Sequence, residues 1–180
     1  MKSLSTRIDK ISILAVIASA CLFHSCEKDD PVTVDPLVGE YKFSSATLTA
    51  DTGIPSLTAG TDVTAIISSG LFSVLTCTSA TNSAIELRGT KELFFTCISE
   101  SKETKGGTWF ANTDETELTL NFSAPPFPQP FSLIISEVNF SGSTLTGKIS
   151  NLPLPADLVP GAPSGTIIVL FNITIKFQKQ

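Results

Sequence analysis

Histidine is almost missing from this 180-residue chain: His24 is the single one. Arginine occurs twice, at Arg7 and Arg88, and tryptophan once, at Trp109. A lone imidazole within the first 25 residues leaves the rest of the chain without Ser-His-Asp or Cys-His machinery and without a His-ligated metal site. One arginine beyond residue 25 likewise excludes a multi-arginine clamp on phosphate or carboxylate. Twelve basic side chains against seventeen acidic ones, net −5, argue against nucleic acid, whose phosphates demand clustered Lys and Arg. Between Leu37 and Gln180 no segment has a convincing amphipathic helical period. Nothing in the sequence implies a cofactor or a metal, and any catalysis would rest on carboxylates.

What is present begins with an address. Met1 to Lys10 carries Lys2, Arg7 and Lys10 against Asp9, and the thirteen residues Ile11 to Phe23 are apolar but for Ser12 and Ser19. A basic segment followed by 7–15 apolar residues is a secretory signal peptide, and it falls short of the roughly 20 residues needed to span a membrane. Two cysteines offer cleavage points. Ala18-Ser19-Ala20 before Cys21 has the small-residue form, but Leu22 and Phe23 follow it. Cys26 follows small Ser25 and precedes Glu27-Lys28-Asp29-Asp30, so the switch from apolar to charged favours Cys26 over Cys21.

This segment resembles the signal of a bacterial lipoprotein. The resemblance implies that residues 1–25 are removed and that Cys26 is acylated, giving the protein a membrane partner through its lipid. Glu27 to Asp30 resembles the acidic export tag of Bacteroidetes-type surface lipoproteins, although such a charge run is also an ordinary solvated spacer. The expected location is the outer membrane, lipid-anchored, at the cell surface or on the periplasmic face. Cleavage removes three basic residues and one acidic one, which takes the mature chain to about −7.

Residues 26–36 read as the acylated cysteine and a tether, with prolines at 31 and 36 and no helix former between them. Residues 37–180 form one domain, since 155 residues after cleavage suffice for one and are few for two. Cys77 and Cys97 are the remaining cysteines. In an oxidising compartment they pair, closing a 21-residue loop worth roughly 3 kcal/mol; two free buried thiols are the alternative.

Short segments rich in Thr, Ser, Val, Ile and Phe, punctuated by Gly, Pro and Asn, predict eight or nine strands. Glu40 to Ala50 places Tyr41, Phe43 and Ser45 on one side. Asp62 to Ile67 offers Val63, Ala65 and Ile67 to one face, and Leu71 to Thr76 follows. Ala84–Leu87 with Glu92–Ser99, and Phe131–Phe140 with Thr144–Ser150, read as hairpins. Thr108 to Ala111 carries Trp109, and Glu117 to Phe122 points Leu118, Leu120 and Phe122 inward. Thr166 to Gln178 has Ile167, Val169, Phe171, Ile173, Ile175 and Phe177 at odd positions. Ile168 and Leu170 on its other face predict burial of both faces at its start. The class is all-β, a single antiparallel barrel or alternatively a sandwich. Ser123–Pro130 and Asn151–Gly165 read as stiff proline-rich connections, or as a binding mouth rimmed by Phe127, Leu154, Leu158 and Val159.

Three motifs fail on their context. Asp51-Thr52-Gly53 matches the aspartic-protease tripeptide, but that chemistry needs two adjoining carboxylates and the sequence has no second copy. Gly142 to Lys148 fits seven positions of a phosphate loop, yet Ile149 stands where Mg²⁺ needs Ser or Thr. Asp114-Glu115-Thr116-Glu117 reads as a solvated acidic loop more readily than as a cation site.

Leu37-Val38-Gly39-Glu40-Tyr41-Lys42-Phe43 and Gly107-Thr108-Trp109, the latter followed by Leu118-Thr119-Leu120, resemble the Gly-x-Trp and Leu-x-Leu strands of lipocalin-like (calycin-type) barrels. The resemblance implies about eight strands around an interior that either fills with side chains or holds one small ligand. Tyr41, Phe43, Phe95, Trp109, Leu120 and Phe122 would line it; otherwise they are core. The expected function is a membrane-anchored, non-catalytic binding module for a small apolar or glycan ligand. The alternative is an interaction subunit of a surface complex, such as an uptake accessory or adhesin, with a packed core and a protein partner the sequence does not name. A carboxylate hydrolase built on Asp51 or the 114–117 cluster is a third reading.

Overall fold

The computed structural model describes residues 35–72, 74–124 and 129–180. The signal peptide, Cys26, the tether up to Val34, and Phe127 lie outside the described residues.

Eight strands are β1 (Gly39–Leu48), β2 (Ser83–Leu87), β3 (Glu92–Cys97), β4 (Glu103–Ala111), β5 (Glu117–Phe122), β6 (Phe131–Ser141), β7 (Thr144–Pro155) and β8 (Ile168–Lys179). Each pairs antiparallel with the next, and β8 returns to β1, so the sheet closes into a barrel rather than splitting into a sandwich. Alternation does most of the work. On β5, Leu118, Leu120 and Phe122 are buried as their period of two predicts. On β8, Val169, Phe171, Ile173, Ile175 and Phe177 all face the core. Both expected hairpins form: β2 and β3 turn through 88–91, and β6 and β7 through Gly142-Ser143.

The structure corrects four expectations. First, Asp62–Ile67 and Leu71–Thr76 are not strands. Thr64–Leu71 is a helix, α1; Val63 just before it and Ile67 and Leu71 within it are buried at every fourth position, while Ala65 is exposed. Over eight residues a period of two and a period near four share too many positions to separate. Second, Ser45 does not follow Tyr41 and Phe43 inward. A register shift between Phe43 and Ser45 changes the phase, so Ala46 and Leu48 take the core positions.

Third, the loop expected from Asn151 yields its first residues to β7, where Leu152 and Leu154 are buried. Pro153 and Pro155 sit opposite Leu170 and Ile168. Ala156 N donates to Ile167 O at 3.0 Å, so positions 153 and 155 point their nitrogens away from β8. The last matched pair of the β6–β7 ladder toward this end is Ser136↔Lys148, so no ladder bond is asked of either proline. Fourth, the start of β8 is not buried on both faces. Ile168 and Leu170 are 54% and 53% exposed, and Ile167, just outside the strand, is 82% exposed.

Antiparallel closure gives the barrel two unlike ends. One is closed by short turns at 88–91, 112–116 and 142–143. The other carries the long connections 49–82, 123–130 and 156–167, with the five-residue turn 98–102 among them. The interior is filled, with Trp109, Tyr41, Phe171 and Phe177 the largest of its fully buried side chains. A methyl added to Gly147 would lie 2.3 Å from Ile135 Cγ2, which leaves no slack there for a larger residue. The expected disulfide is present, Cys77 to Cys97 with an S–S distance of 2.02 Å, and it pins the β1–β2 connection to the end of β3.

Candidate functional site

The six residues proposed to line a ligand separate into two groups. Tyr41, Phe95, Trp109, Leu120 and Phe122 are 1–3% exposed and belong to one hydrophobic cluster. Phe95 packs on Phe122 with ring centroids 5.8 Å apart. Phe43 alone is half-buried, stacked on Phe72 at 4.8 Å and edge-on to Phe177 at 5.9 Å.

The Gly-x-Trp stretch belongs to the short-turn end. Gly107 has φ +152, and a Cβ there would fall 1.8 Å from Asn121 O, so only glycine lets β4 approach β5 this closely. Trp109 Nε1 donates to Arg88 O at 3.0 Å, and Lys91 Nζ lies 3.8 Å from the centre of its ring. Asp35 holds the same lysine from the chain's entry, with Lys91 Nζ 2.7 Å from Asp35 Oδ2. Leu37 N also donates to Asp35 Oδ1 at 3.0 Å. Burial works to raise the Asp35 carboxyl, but Lys91, the Leu37 amide and Lys179 outweigh it and hold it below its usual range. The Tyr41 hydroxyl, buried nearby, has no hydrogen-bond partner among the described residues. Its burial, with the charges of Asp35 and Glu115, pushes it up to about 12, so the phenol is neutral at any physiological pH. These contacts make a base.

The stretches singled out by motif are local turns. Asp51 Oδ1 accepts from Ala59 N at 2.7 Å, and Thr52 Oγ1 donates to Leu57 O at 3.0 Å, folding the Asp-Thr-Gly stretch onto its own loop. The 114–117 stretch is the β4–β5 turn, with Glu115 at φ +54. Gly142 to Lys148 is the β6–β7 turn running into β7, and Lys148 pairs with Glu137 at 2.6 Å. Cys77, Cys97 and Glu100 lie close together, but a disulfide offers no thiolate to a metal.

Openings gather at the long-connection end, around α1. The β1–β2 ladder stops at Lys42↔Ala84, whereas β1–β8 continues to Leu48↔Ile173. The upper half of β1 therefore has a free edge, and α1 is fastened to it. Val63 N donates to Ala46 O at 2.9 Å, and Ala46 N to Thr64 Oγ1 at 3.0 Å. On one flank of α1 a groove of about 430 Å³ is lined by Leu71, Phe131, Leu154, Leu158, Ile167 and Ile168, with Gln129 at its edge. On the other flank, a cleft of about 520 Å³ opens over Phe43 and Phe72. A further, polar cleft of about 560 Å³ lies on the outer wall of β2–β4, where Arg88 pairs with Glu86 at 2.7 Å and with Glu103.

Of the expected mouth, Leu154 and Leu158 do line the apolar groove, while Val159 is 3% exposed and part of the core. Ile167 and Ile168 were missed as groove residues because their alternation reads as burial. Leu71 was missed because it was placed on a strand. The one available signal was Pro153-x-Pro155, which marks an edge next to which side chains stay open to water.

Geometry places the chain in a class: a closed eight-stranded antiparallel β-barrel, consistent with a lipocalin-like fold. Compared with protein-family models, curated proteins and solved structures, the chain matches none.

Proposed function

We propose that this protein is a lipid-anchored surface lipoprotein whose barrel is a non-catalytic binding module, taking one aliphatic chain in the groove beside α1 and not in the barrel interior. The observation that carries it is the groove itself. Six apolar side chains line about 430 Å³, with Ile167 and Ile168 mostly exposed. That volume lies within the range of small-molecule sites, which favour the mouths of barrels, and contiguous open apolar surface marks a binding function more often than chance exposure. The anchor rests on Cys26 and the charge switch that follows it. A non-catalytic role is supported by the Asp51 carboxylate serving its own loop, accepting from Ala59 N.

Binding of a fluorescent polyene fatty acid tests the reading. The wild-type chain is expected to bind it, and Ile168→Glu to weaken that binding about tenfold or more, since a charge at an apolar contact costs well over 1.4 kcal/mol. The thermal midpoint should not change, because Ile168 is largely exposed. Absence of probe binding, or equal binding by the variant, overturns the groove. The interaction-subunit reading keeps its own support, the filled interior. A photo-crosslinker at Ile168 that captures a protein in the native membrane, with no probe bound, would replace our reading with that one. Metabolic labelling with an acyl precursor tests the anchor separately: Cys26→Ser should abolish the label and Cys21→Ser should not.

A further inference from the structure

The cleft on the opposite flank of α1 has a different chemistry. It opens where β1 parts from β2, and half-buried Phe43, stacked on the buried Phe72, lines it. The hydroxyl-bearing residues Ser44, Thr64, Ser68 and Ser83, with Lys42 and Gln178, line the rest of it.

The lysine is the distinguishing group. Among the described residues Arg88, Lys91, Lys102, Lys105 and Lys148 all pair with carboxylates. Lys179 caps Pro36 O at 2.7 Å. Only Lys42 and Lys176 have neither an ion pair nor a side-chain hydrogen bond among the described residues. They are diagonal neighbours across β1–β8, since Lys42 faces Gln178 and Lys176 faces Ser45. In a chain of net −5, these are two ammonium groups on one wall beside the cleft that no described carboxylate holds in a salt bridge. Glu40, two residues back on the same face of β1, accepts from Thr96 Oγ1 at 2.6 Å, and Asp62 is occupied at the start of α1, accepting from Thr64 N at 2.8 Å.

The geometry points to a second binding site here, for a small anion carrying a ring: a ring-bearing carboxylate whose ring lies on Phe43 and Phe72 while its carboxylate meets Lys42. An aromatic ring over Phe43 gains both buried area and an offset-stacked contact. A hydrogen bond to an ionised group is stronger than one between neutral groups. The hydroxyls supply donors for the second carboxylate oxygen, and Lys176 adds long-range attraction. This site is independent of the groove beside Ile168 and does not rest on that reading.

Equilibrium dialysis of labelled benzoate against the full chain is the test, with benzyl alcohol as the uncharged probe. Benzoate is expected to bind at about millimolar strength, appropriate to so small a ligand, and benzyl alcohol several-fold more weakly. Lys42→Gln should lower benzoate affinity about tenfold and leave benzyl alcohol unchanged, whereas Lys42→Arg should restore most of it. Phe43→Leu should weaken both probes. Ile168→Glu should affect neither, which separates failure of this site from failure of the groove. Lys42 is a half-buried surface residue outside the main core, so its variants should fold, as unchanged thermal midpoints would verify. Benzoate binding that is undetectable, equal to that of benzyl alcohol, or indifferent to Lys42→Gln overturns the assignment.

Discussion

The two ends of the barrel are built from the same strands but to different rules. At the short-turn end the connections are as brief as two residues, and polar side chains are spent on one another: Asp35 on Lys91, Lys91 on Trp109, Trp109 on Arg88. At the other end, connections of up to 34 residues fold back over the barrel, leaving clefts on both flanks of α1 and isoleucines open to water. A short turn has few conformations to lose and little surface to offer. A long excursion costs more entropy to order and brings side chains that can be placed for recognition. The difference leaves paired side chains at one end and open clefts at the other.

The largest effect should come from the base. Gly107→Ala forces a side chain into a positive φ and onto Asn121 O, and is expected to lower unfolding stability by about 3 kcal/mol or more, read by denaturant titration. A variant as stable as wild type would mean the β4–β5 approach is looser than described. Breaking the disulfide with Cys77→Ser and Cys97→Ser together should cost roughly 3 kcal/mol or somewhat less. Its functional consequence should fall on the α1 end, because Cys77 follows α1 in the β1–β2 connection. Loss of benzoate binding well below the unfolding temperature would sharpen the comparison.

Smaller effects follow. Tyr41→Phe removes a buried hydroxyl with no partner among the described residues and should be neutral or stabilising by about 1 kcal/mol, seen as a raised thermal midpoint. A marked destabilisation would show that the hydroxyl is bonded after all. The smallest concerns Asp35, whose folded-state carboxyl is held below its ordinary value. Its contribution is therefore fully present above the ordinary aspartate range, near pH 4, and is lost as pH falls through the depressed value. Being partly exposed, it should amount to less than about 1 kcal/mol. Comparing acid unfolding of wild type with Asp35→Asn should show the two curves converging at low pH, and parallel curves throughout would refute it.

Much of the wall was legible. β5, the two hairpins and the inward face of β8 follow from alternation, because a strand with one face in the core can satisfy that face in only one register. The cysteine pair was legible as well, from compartment and count. What was hidden depends on breaks of period. The shift at Phe43/Ser45 moves the inward set from odd to even positions, and no local residue announces it. Val63, Ala65 and Ile67 alternate well enough to pass for a strand, and the decision for a helix is made by the free edge of β1 that Val63 and Thr64 bind. Ile168 and Leu170 look buried by composition, yet the outer wall at that point leaves them half in water.

By itself the sequence determined the all-β class, the inward faces of the regular strands and the scarcity of imidazole and guanidinium that narrows the chemistry, since these follow from residue type and a two-residue period. Tertiary structure alone decided closure into a barrel, the filling of the interior by five of the six expected ligand residues, and the emergence of the sixth, Phe43, beside α1. The physical reason is that closure and access depend on where a neighbouring strand stops. β2 ends its pairing with β1 at Lys42↔Ala84, and no property of Lys42 or Phe43 taken alone specifies that edge.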